Sequence, residues 1–477
     1  MKTPALAPRL VLVVAFVFAG AACARAASYT WPKNRGSGSW ADAANWTPEG
    51  VPAAGDSATV EAGRPARFEI TLEGANRDLK ELLMQGSGDS GIENMLVIDL
   101  AKGASLTTSF TVKQGGQILV KGGTLSGVGE NSIGASQTGG KVTVDGGALL
   151  IGGGGMLAVR NGKNADSVLE VRAGSFTFHE DVHGYVFVVG ETVGPGPHTG
   201  MGVMNVEGGA ATVNGSASEM RVGNWGTNGV GTAVLNLTGG TLNVFPGSEK
   251  QRMVVGGRAP GYGKCPDSAF AEDLAQLNVS GGVLNADGHG VFLGRNGESP
   301  GEFTLSGGEA NLGGMIVGSM GKLTQSKGVL TFTARKPWLN EATGGARRLF
   351  MSGGVVRFQG VHLDQMTIDM GGPAAGNVLG QGFYHVEFGG EGMGPVTIAL
   401  PNEFHGCGTA QGGNGIPRDG IKDLKVWSNV TVEYKEATYH GASGANSLEA
   451  FAKLAQGWGW DAFVESQRPG RLPQRGR

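Results

Sequence analysis

The chain has 477 residues, a formal net charge of −3 and 88 glycines, far above the usual glycine share of about 7%. The glycines do not recur at every third position, and Val, Leu, Ile and Phe are abundant between them, so the composition excludes collagen and argues against disorder. The mild acidity argues against nucleic acid as a partner.

The first residues predict export. Lys2 and Arg9 precede an uncharged run over residues 10–22, which is followed by a small-residue site ending at Ala26. This arrangement is typical of a signal peptide, so residues 1–26 are expected to be removed. The apolar run has 13 residues, whereas spanning a bilayer takes about 20. We therefore expect cleavage and no transmembrane segment afterwards.

Three cysteines bear on processing and stability. Lipid attachment at Cys23 is an alternative to cleavage, but Gly20 stands where such signals usually have a large aliphatic residue. Cys265 and Cys407 would remain and could pair after export, yet two cysteines are too few to hold so long a chain together. Removing the signal peptide would change the net charge from −3 to −6.

The next segment, residues 27–56, is rich in tryptophan. Trp31, Trp40 and Trp46 are spaced by polar and small residues, and alternation of apolar residues begins only after Asp56. A repetitive structure needs its open end covered, because an uncovered end would recruit other strands. We therefore predict an N-terminal cap here.

A ten-residue phrase then recurs nine times, with a turn pair, usually Gly-Gly, between two stretches of alternating apolar residues. The copies begin at Ile118, Val142, Leu169, Met204, Leu235, Leu277, Phe303, Leu323 and Leu349. Successive turn pairs lie 24, 27, 35, 31, 42, 26, 20 and 26 residues apart. Alternation with period two predicts two short strands with one buried face in each copy.

The copy at residues 235–244 illustrates the predicted orientation. Its expected inward residues are Leu235, Leu237, Leu242 and Val244. Its expected outward residues are Asn236, Thr238, Thr241 and Asn243. Asparagine also stands at the same two offsets in neighbouring copies, at positions 205, 236 and 278 and at positions 243, 285 and 311. Stacked coils would align these amides as outward ladders about 4.8 Å apart, although Asn is also common near turns.

Between copies a second phrase predicts a third strand. It reads FVVGET, MRVGNWG, MVVGGR, VFLGRNG and MIVGSMG around positions 188, 222, 254, 293 and 317. Three short strands with their turns take about 20 to 26 residues, the length of one coil of a parallel β-helix, and longer spacings would be loops. A sandwich or propeller of antiparallel hairpins is the rival fold, but it would need a more constant period.

The start of the chain, together with these repeats, resembles a known family of proteins. Its residues are Trp40, Asn45, Trp46, Val51, Pro52, Gly55 and Asp56. This stretch and the Ser-Gly-Gly repeats, to about Gly372, resemble secreted bacterial parallel β-helix proteins with autotransporter-associated β-strand repeats. The resemblance is to the passenger region, without a transporter domain, and implies a surface or extracellular scaffold rather than a particular activity.

The sharpest chemical motif is His179-Glu180-Asp181-Val182-His183, which fits the H-E-x-x-H pattern of zinc hydrolases. That site needs a helix to bring the two histidines together, whereas strand alternation leads into and out of this segment. We therefore expect a loop on an enlarged coil, without metal and without any cofactor.

Other candidate side chains lie on later coils. His362, Asp364, Asp369, His385 and Glu387 are the candidate catalytic residues, because alternation places His385 and Glu387 on one outer side and stacking could form a patch. Solvated outward residues are the simpler explanation.

Trp225 and Trp338 are candidates for stacking on sugar rings. Each could equally cover a loop's own core.

Near the end, residues 446–455 predict a helix that Asn446 or Ser447 caps and Gly457 ends. The prediction is an all-β chain folded as a right-handed, single-stranded parallel β-helix over residues 57–400. The last coils and a capping helix follow over residues 401–466, and residues 467–477 form a disordered tail.

These features predict a secreted or cell-surface protein, with the periplasm as an alternative location. We expect an adhesin-like or structural solenoid that displays a repetitive face, with extracellular polysaccharide or cell-surface matrix as its partner. The alternative is a polysaccharide lyase or glycoside hydrolase on the same scaffold, since one scaffold hosts many activities. A crowded groove of carboxylates and bases would favour the enzyme, and even, uncharged ladders would favour the structural protein.

Overall fold

The computed structural model describes residues 26–32, 34–61, 69–86, 94–135, 138–152, 156–162, 164–180, 187–192, 196–215, 219–223, 229–248, 251–256, 274–288, 290–294, 300–317, 321–333, 348–351, 355–358, 385–389, 395–399, 423–441, 443–457 and 461–465. These residues form β-strands, one α-helix and a 3-10 helix over Ala43–Asn45. The first strands are β1 (Ser28–Trp31), β2 (Gly38–Ser39), β3 (Ser57–Val60), β4 (Glu69–Gly74), β5 (Arg77–Gln85), β6 (Met95–Leu100), β7 (Ser105–Lys113), β8 (Gln117–Gly122), β9 (Thr124–Gly127), β10 (Glu130–Ile133), β11 (Lys141–Ile151), β12 (Met156–Asn161) and β13 (Ser167–Glu180).

The middle strands have two to six residues each. They are β14 (Phe187–Thr192), β15 (Gly196–Pro197), β16 (Gly202–Val206), β17 (Ala210–Gly215), β18 (Glu219–Val222), β19 (Gly229–Val230), β20 (Ala233–Leu237), β21 (Thr241–Val244), β22 (Arg252–Val255), β23 (Ala275–Val279), β24 (Val283–Ala286), β25 (Val291–Leu293), β26 (Gly301–Leu305), β27 (Glu309–Leu312), β28 (Met315–Val317), β29 (Gly321–Gln325) and β30 (Val329–Phe332).

The last elements include the helix. They are β31 (Arg348–Met351), β32 (Val355–Phe358), β33 (His385–Phe388), β34 (Val396–Ala399), β35 (Asp423–Trp427), β36 (Val430–Tyr434), β37 (Ala437–Tyr439), α1 (Leu448–Gly457) and β38 (Asp461–Glu465).

Successive coils stack their strands into three parallel sheets. Sheet one contains, in order, β2, β4, β6, β8, β11, β13, β16, β20, β23, β26, β29 and β31. Sheet two contains β5, β7, β9, β11, β13, β17, β21, β24, β27, β30, β32, β33, β35 and β38. Sheet three contains β1, β3, β5, β7, β10, β12, β14, β18, β22, β25 and β28. The long strands β5, β7, β11 and β13 turn a corner and contribute to two sheets each, so the chain is a parallel β-solenoid.

The register confirms that the nine copies stack on one another. The first residue of each copy is the Cα partner of the first residue of the next copy, from Ile118 through to Leu349. The second phrase forms the predicted third strand, in which Val189, Val222, Val255, Leu293 and Val317 are successive partners. Among the strands of the described residues, only β36 and β37 pair in antiparallel fashion. The rival fold of antiparallel hairpins is therefore excluded.

Burial confirms the predicted inside and outside. Leu235, Leu237, Leu242 and Val244 are at most 1% exposed and belong to one core that runs through the stack. The alternate residues Asn236, Thr241 and Asn243 are half-buried and Thr238 is exposed. Burying one apolar side chain of this kind contributes about 1.5–3 kcal/mol, so the interior column holds the coils together.

Glycine is required most strictly at the second position of the turn pair. Gly240 and Gly282 have φ angles of 65° and 67°, where side chains are strained. A Cβ on Gly282 would lie 2.6 Å from the carbonyl oxygen of Gly240 in the preceding coil, so close stacking also excludes it. The first position does not need a positive φ, because Ala173 and Lys327 occupy it in two copies, although a Cβ on Gly281 would lie 2.3 Å from the Thr238 carbonyl oxygen.

At the N-terminal end of the stack, three tryptophans form one buried cluster. Trp31, Trp40 and Trp46 are at most 2% exposed. The Trp46 ring lies edge-on to the rings of Trp31 and Trp40, with centroids 5.2 and 4.5 Å away, and its Nε1 donates a hydrogen bond to the Trp40 carbonyl oxygen. Parallel pairing already begins here, since β1 pairs with β3.

At the other end, α1 packs against β35, β36, β37 and β38. Its buried side chains are Leu448, Phe451, Ala452 and Ala455. Ser447 caps the helix, because its Oγ accepts a hydrogen bond of 3.1 Å from the Ala450 amide, and the helix ends at Gly457 as predicted. No helix of the described residues is long and apolar enough to cross a membrane.

Candidate functional site

The candidate site is the outer surface of sheets one and two, where asparagines of neighbouring coils form hydrogen-bonded ladders. On sheet one, the Nδ2 atom of Asn236 donates to Oδ1 of Asn205 at 2.9 Å, and Nδ2 of Asn278 donates to Oδ1 of Asn236 at 3.0 Å. Strand register places these three residues side by side, and all three are half-buried. The predicted amide ladder is confirmed on this sheet.

Sheet two carries the second predicted ladder. The Nδ2 atom of Asn285 donates to Oδ1 of Asn243 at 2.9 Å, and that of Asn311 donates to Oδ1 of Asn285 at 3.0 Å. Nδ2 of Asn243 continues the row by donating to Oγ1 of Thr212 at 3.5 Å. All amides therefore point the same way along the stack.

Each interior amide keeps hydrogen-bonding capacity towards the outside. A primary amide has two N–H donors and an oxygen with two lone pairs. Asn236 and Asn285 each use one donor and one lone pair within their ladder. One donor and one acceptor per coil remain for a ligand, at the strand spacing of about 4.8 Å.

The outer side of sheet two is nearly uncharged over five coils. Its outward residues, which we call the sheet two strip, are Ser175, Thr177, His179, Ala210, Thr212, Asn214, Thr241, Asn243, Val283, Asn285, Glu309 and Asn311. The ionisable residues of the strip are His179 in its first coil and Glu309 in its last coil. The strip therefore offers short, mostly neutral side chains beside a regular row of amides and hydroxyls.

An ion cluster precedes the ladder on sheet one. The Glu170 carboxylate is almost fully buried and lies 3.1 Å from Nζ of Lys141 and 2.9 Å from a terminal nitrogen of Arg172. The Thr143 hydroxyl donates to the same oxygen at 3.1 Å. Burial alone would raise the pKa of Glu170, but the hydrogen bond and charge of Lys141, with Arg172 and Thr143, outweigh it and lower the pKa.

Sequence reasoning missed this cluster, although a signal was present. Glu170 and Thr143 stand three residues before the turn pair of their copies, the same offset as Asn205. Reading that offset through every copy would have placed Thr143, Glu170 and Asn205 in one row, as the register shows.

The outer side of sheet three is closed in the middle coils. Val188, Arg221, Val254 and Phe292 are successive outward partners, and none is more than 8% exposed. Arg221 pairs with the buried carboxylate of Glu219, whose other oxygen lies 3.3 Å from Nε of Arg252. A buried ion network of this kind was not predicted, and it leaves this side of the middle coils without an open surface.

The late coils of sheet two place ionisable residues in two columns. Register makes His385, Asp423 and Asp461 successive partners along one column. In the neighbouring column the successive partners are Arg357, Glu387 and Lys425. Strand register thus makes the candidates His385 and Glu387 backbone partners of charged residues in adjacent coils.

Lys425 is the best-defined member of these columns. Its Nζ lies 3.9 Å from Glu465 and 4.1 Å from the centroid of the Trp427 ring. The backbone of His385 and Glu387 belongs to β33.

The H-E-x-x-H segment begins in a strand and not in a helix. His179 and Glu180 are the last residues of β13 and are the register partners of Asn214 and Gly215. Within the described part of the chain, no group of three potential ligands is arranged to hold a metal ion. His183 lies outside the described residues.

Several other candidates also lie outside the described residues. These are Trp225, Trp338, His362, Asp364, Asp369, Cys23, Cys265 and Cys407.

Comparison with models of known protein families, with curated proteins and with solved structures finds no match to this chain.

Proposed function

We propose that this protein is an exported, non-enzymatic solenoid that binds extracellular polysaccharide or cell-surface matrix through a repetitive outer face. The signal-like residues 1–26 support export to the cell surface or the medium. A right-handed coil, capped by the tryptophan cluster and by α1, would protect both ends of the stack from pairing with other chains.

The amide ladders are the observation that carries this proposal. Asn236 on sheet one and Asn285 on sheet two are interior members of the two ladders, and each retains one donor and one acceptor, so the ladder of either sheet alone could provide the binding row. A polymer of repeating polar units can contact such a row at each of its three coils, so weak contacts add up along the polymer. A compact small molecule would use only a fraction of it.

A binding and release assay tests this function. Protein starting at Ala27 is incubated with a panel of immobilised neutral and anionic polysaccharides, and bound protein and released reducing sugar are both measured. We expect saturable binding to at least one polysaccharide without sugar release. Release of sugar with turnover, or the absence of binding to every polysaccharide of the panel, would contradict the proposal.

A polysaccharide lyase or hydrolase is the second candidate, favoured by the late coils of sheet two. Glu387 lies between Arg357 and Lys425 in register, and His385 lies beside Asp423. Carboxylates beside basic groups are the components of glycoside cleavage. If the protein is such an enzyme, it should release sugar. Glu387→Gln should then abolish sugar release while polysaccharide binding persists.

The matched control for that variant is Glu433→Gln. Glu433 belongs to β36, which pairs with β34 and β37 outside the three main sheets. If sugar release is present and both variants lose it equally, the loss reflects damage to the C-terminal region and Glu387 has no catalytic role.

A further inference from the structure

The three outer sides of the solenoid differ in what they can receive. Sheet three is closed over the middle coils, because Arg221 and Val254 on its outer side are fully buried. The ladder of sheet one is flanked by ions at both ends, with the Glu170 cluster before it and the Glu302–Lys322 pair, 3.1 Å apart, after it. The sheet two strip alone combines a ladder with five nearly uncharged coils.

We infer that the sheet two strip binds a neutral, hydroxyl-rich polysaccharide chain that lies along the solenoid axis, an inference that rests on the proposed function. Sugar hydroxyls donate and accept at once, so they match the one free N–H and one free lone pair of each interior amide. Consecutive sugar units of an extended β-1,4-linked chain are separated by a distance close to the spacing of the coils. Neighbouring units can therefore meet neighbouring amides, with every second unit presenting the same face.

The charge of the strip sets the class of polymer. An anionic polymer would place carboxylates along a surface whose ionisable outward residues are His179 in the first coil and Glu309 in the last, with none in the three coils between them. Such carboxylates would lose water without gaining a partner, which is unfavourable. A neutral chain avoids this penalty. Short side chains such as Ala210, Thr241 and Val283 leave the surface beside the ladder flat enough for a sugar chain to approach.

Two matched double variants test which sheet binds. Asn243→Ala with Asn285→Ala removes two amides from sheet two, and Asn236→Ala with Asn278→Ala removes two amides from sheet one of the same two coils. Binding of cellohexaose is measured by calorimetry, with hexagalacturonate as an anionic oligomer of the same length. We expect the sheet two pair to weaken cellohexaose binding about tenfold, because each lost hydrogen bond contributes modestly. The sheet one pair lies outside the inferred strip and should change cellohexaose binding by less than about twofold.

A second pair of variants does not disturb the ladders. Val283 and Gln276 are half-buried outward residues of the same coil, on sheet two and sheet one respectively. Val283→Arg should block cellohexaose by occupying the strip, and Gln276→Arg should not. Equal loss in both variants, or loss only with the sheet one changes, would overturn the assignment to sheet two.

The outcomes separate this inference from the function on which it rests. If hexagalacturonate binds at least as tightly as cellohexaose, the neutral-ligand inference is wrong while polysaccharide binding by the protein stands. If neither oligomer binds and no polysaccharide of the panel binds, the proposed function fails together with the inference.

Discussion

The middle and late coils of sheet two share one backbone plan but differ in what they turn outward. In the middle coils, Asn243 and Asn285 bond to each other and carry no charge. In the late coils, the column that continues from Asn243 and Asn285 contains Lys425 and its register partner Glu387, which are ionisable. The inward residues stay apolar in both regions, as Leu242 and Leu424 show. Inward residues therefore stabilise the fold in both regions, whereas the alternate residues can differ between coils and provide different surfaces.

We expect the largest loss of stability when a charged residue is placed at an inward position of a strand. Leu237→Asp should cost about 3–5 kcal/mol of unfolding free energy, because it strands a carboxylate in the core and removes apolar contacts. Asn236→Asp should cost about 1 kcal/mol, since it loses a ladder contact on the outer side. Urea unfolding followed by circular dichroism measures both. If Asn236→Asp proves the more harmful, the inside-outside assignment is shifted by one residue.

Substitution of a stacked glycine in the middle coils should cause the next largest loss of stability. Gly282→Ala should cost about 2–3 kcal/mol, because it combines a strained φ with a clash against the Gly240 carbonyl oxygen. Gly247→Ala is the matched control, since Gly247 has a φ of 75° but no atom within 4 Å of its added Cβ. The difference between the two melting curves isolates the clash. Equal destabilisation would show that coil stacking does not require glycine at this position.

The Glu170 cluster should contribute a smaller, pH-dependent amount. Glu170→Gln should lower stability by about 1–2 kcal/mol at neutral pH, because Lys141 and Arg172 lose their buried partner. The pKa of Glu170 is lowered in the folded protein, so its contribution is present above the ordinary glutamate pKa. It is lost as the pH falls through the lowered pKa.

Melts at several pH values check this prediction. The gap between wild type and Glu170→Gln should narrow below the ordinary glutamate pKa. A gap that stays constant through the acid range would mean that the ion pairs do not stabilise the fold.

The smallest effect is expected in the late coils. Lys425→Met should change stability by about 0.5 kcal/mol, since its 3.9 Å contact with Glu465 is a long pair at a partly exposed site. A small effect on thermal melting would mean that the late charges are not retained for stability. A loss of several kcal/mol would make them structural and would weaken the case for an enzyme.

The sequence predicted the repetitive part of this fold well, for a physical reason. Period-two alternation identified Leu237 and Val244 as core residues, and a constant offset from the turn pair identified Asn236 as a ladder residue. Both signals are local, because one coil repeats the geometry of the next.

The register of the ionisable residues in the late coils could not be predicted in the same way. Thirty residues separate Arg357 from Glu387, and 38 separate Glu387 from Lys425. No repeated turn pair marks the register across these long spacings, so their partnership emerged only from strand pairing. Burial of the Arg221 and Glu219 pair could not be predicted from the sequence. Alternation predicts that outward positions are exposed, whereas the outer side of sheet three is buried here.

One comparison tests the central claim most directly, namely that the neutral ladder coils bind the ligand and the charged late coils do not. Cellohexaose binding and sugar release are measured for Asn243→Ala with Asn285→Ala and for His385→Ala with Glu387→Gln. We predict about tenfold weaker binding for the ladder pair, unchanged binding for the late pair and no sugar release by any form. Wild-type sugar release that the late pair abolishes, with binding intact in the ladder pair, would contradict it.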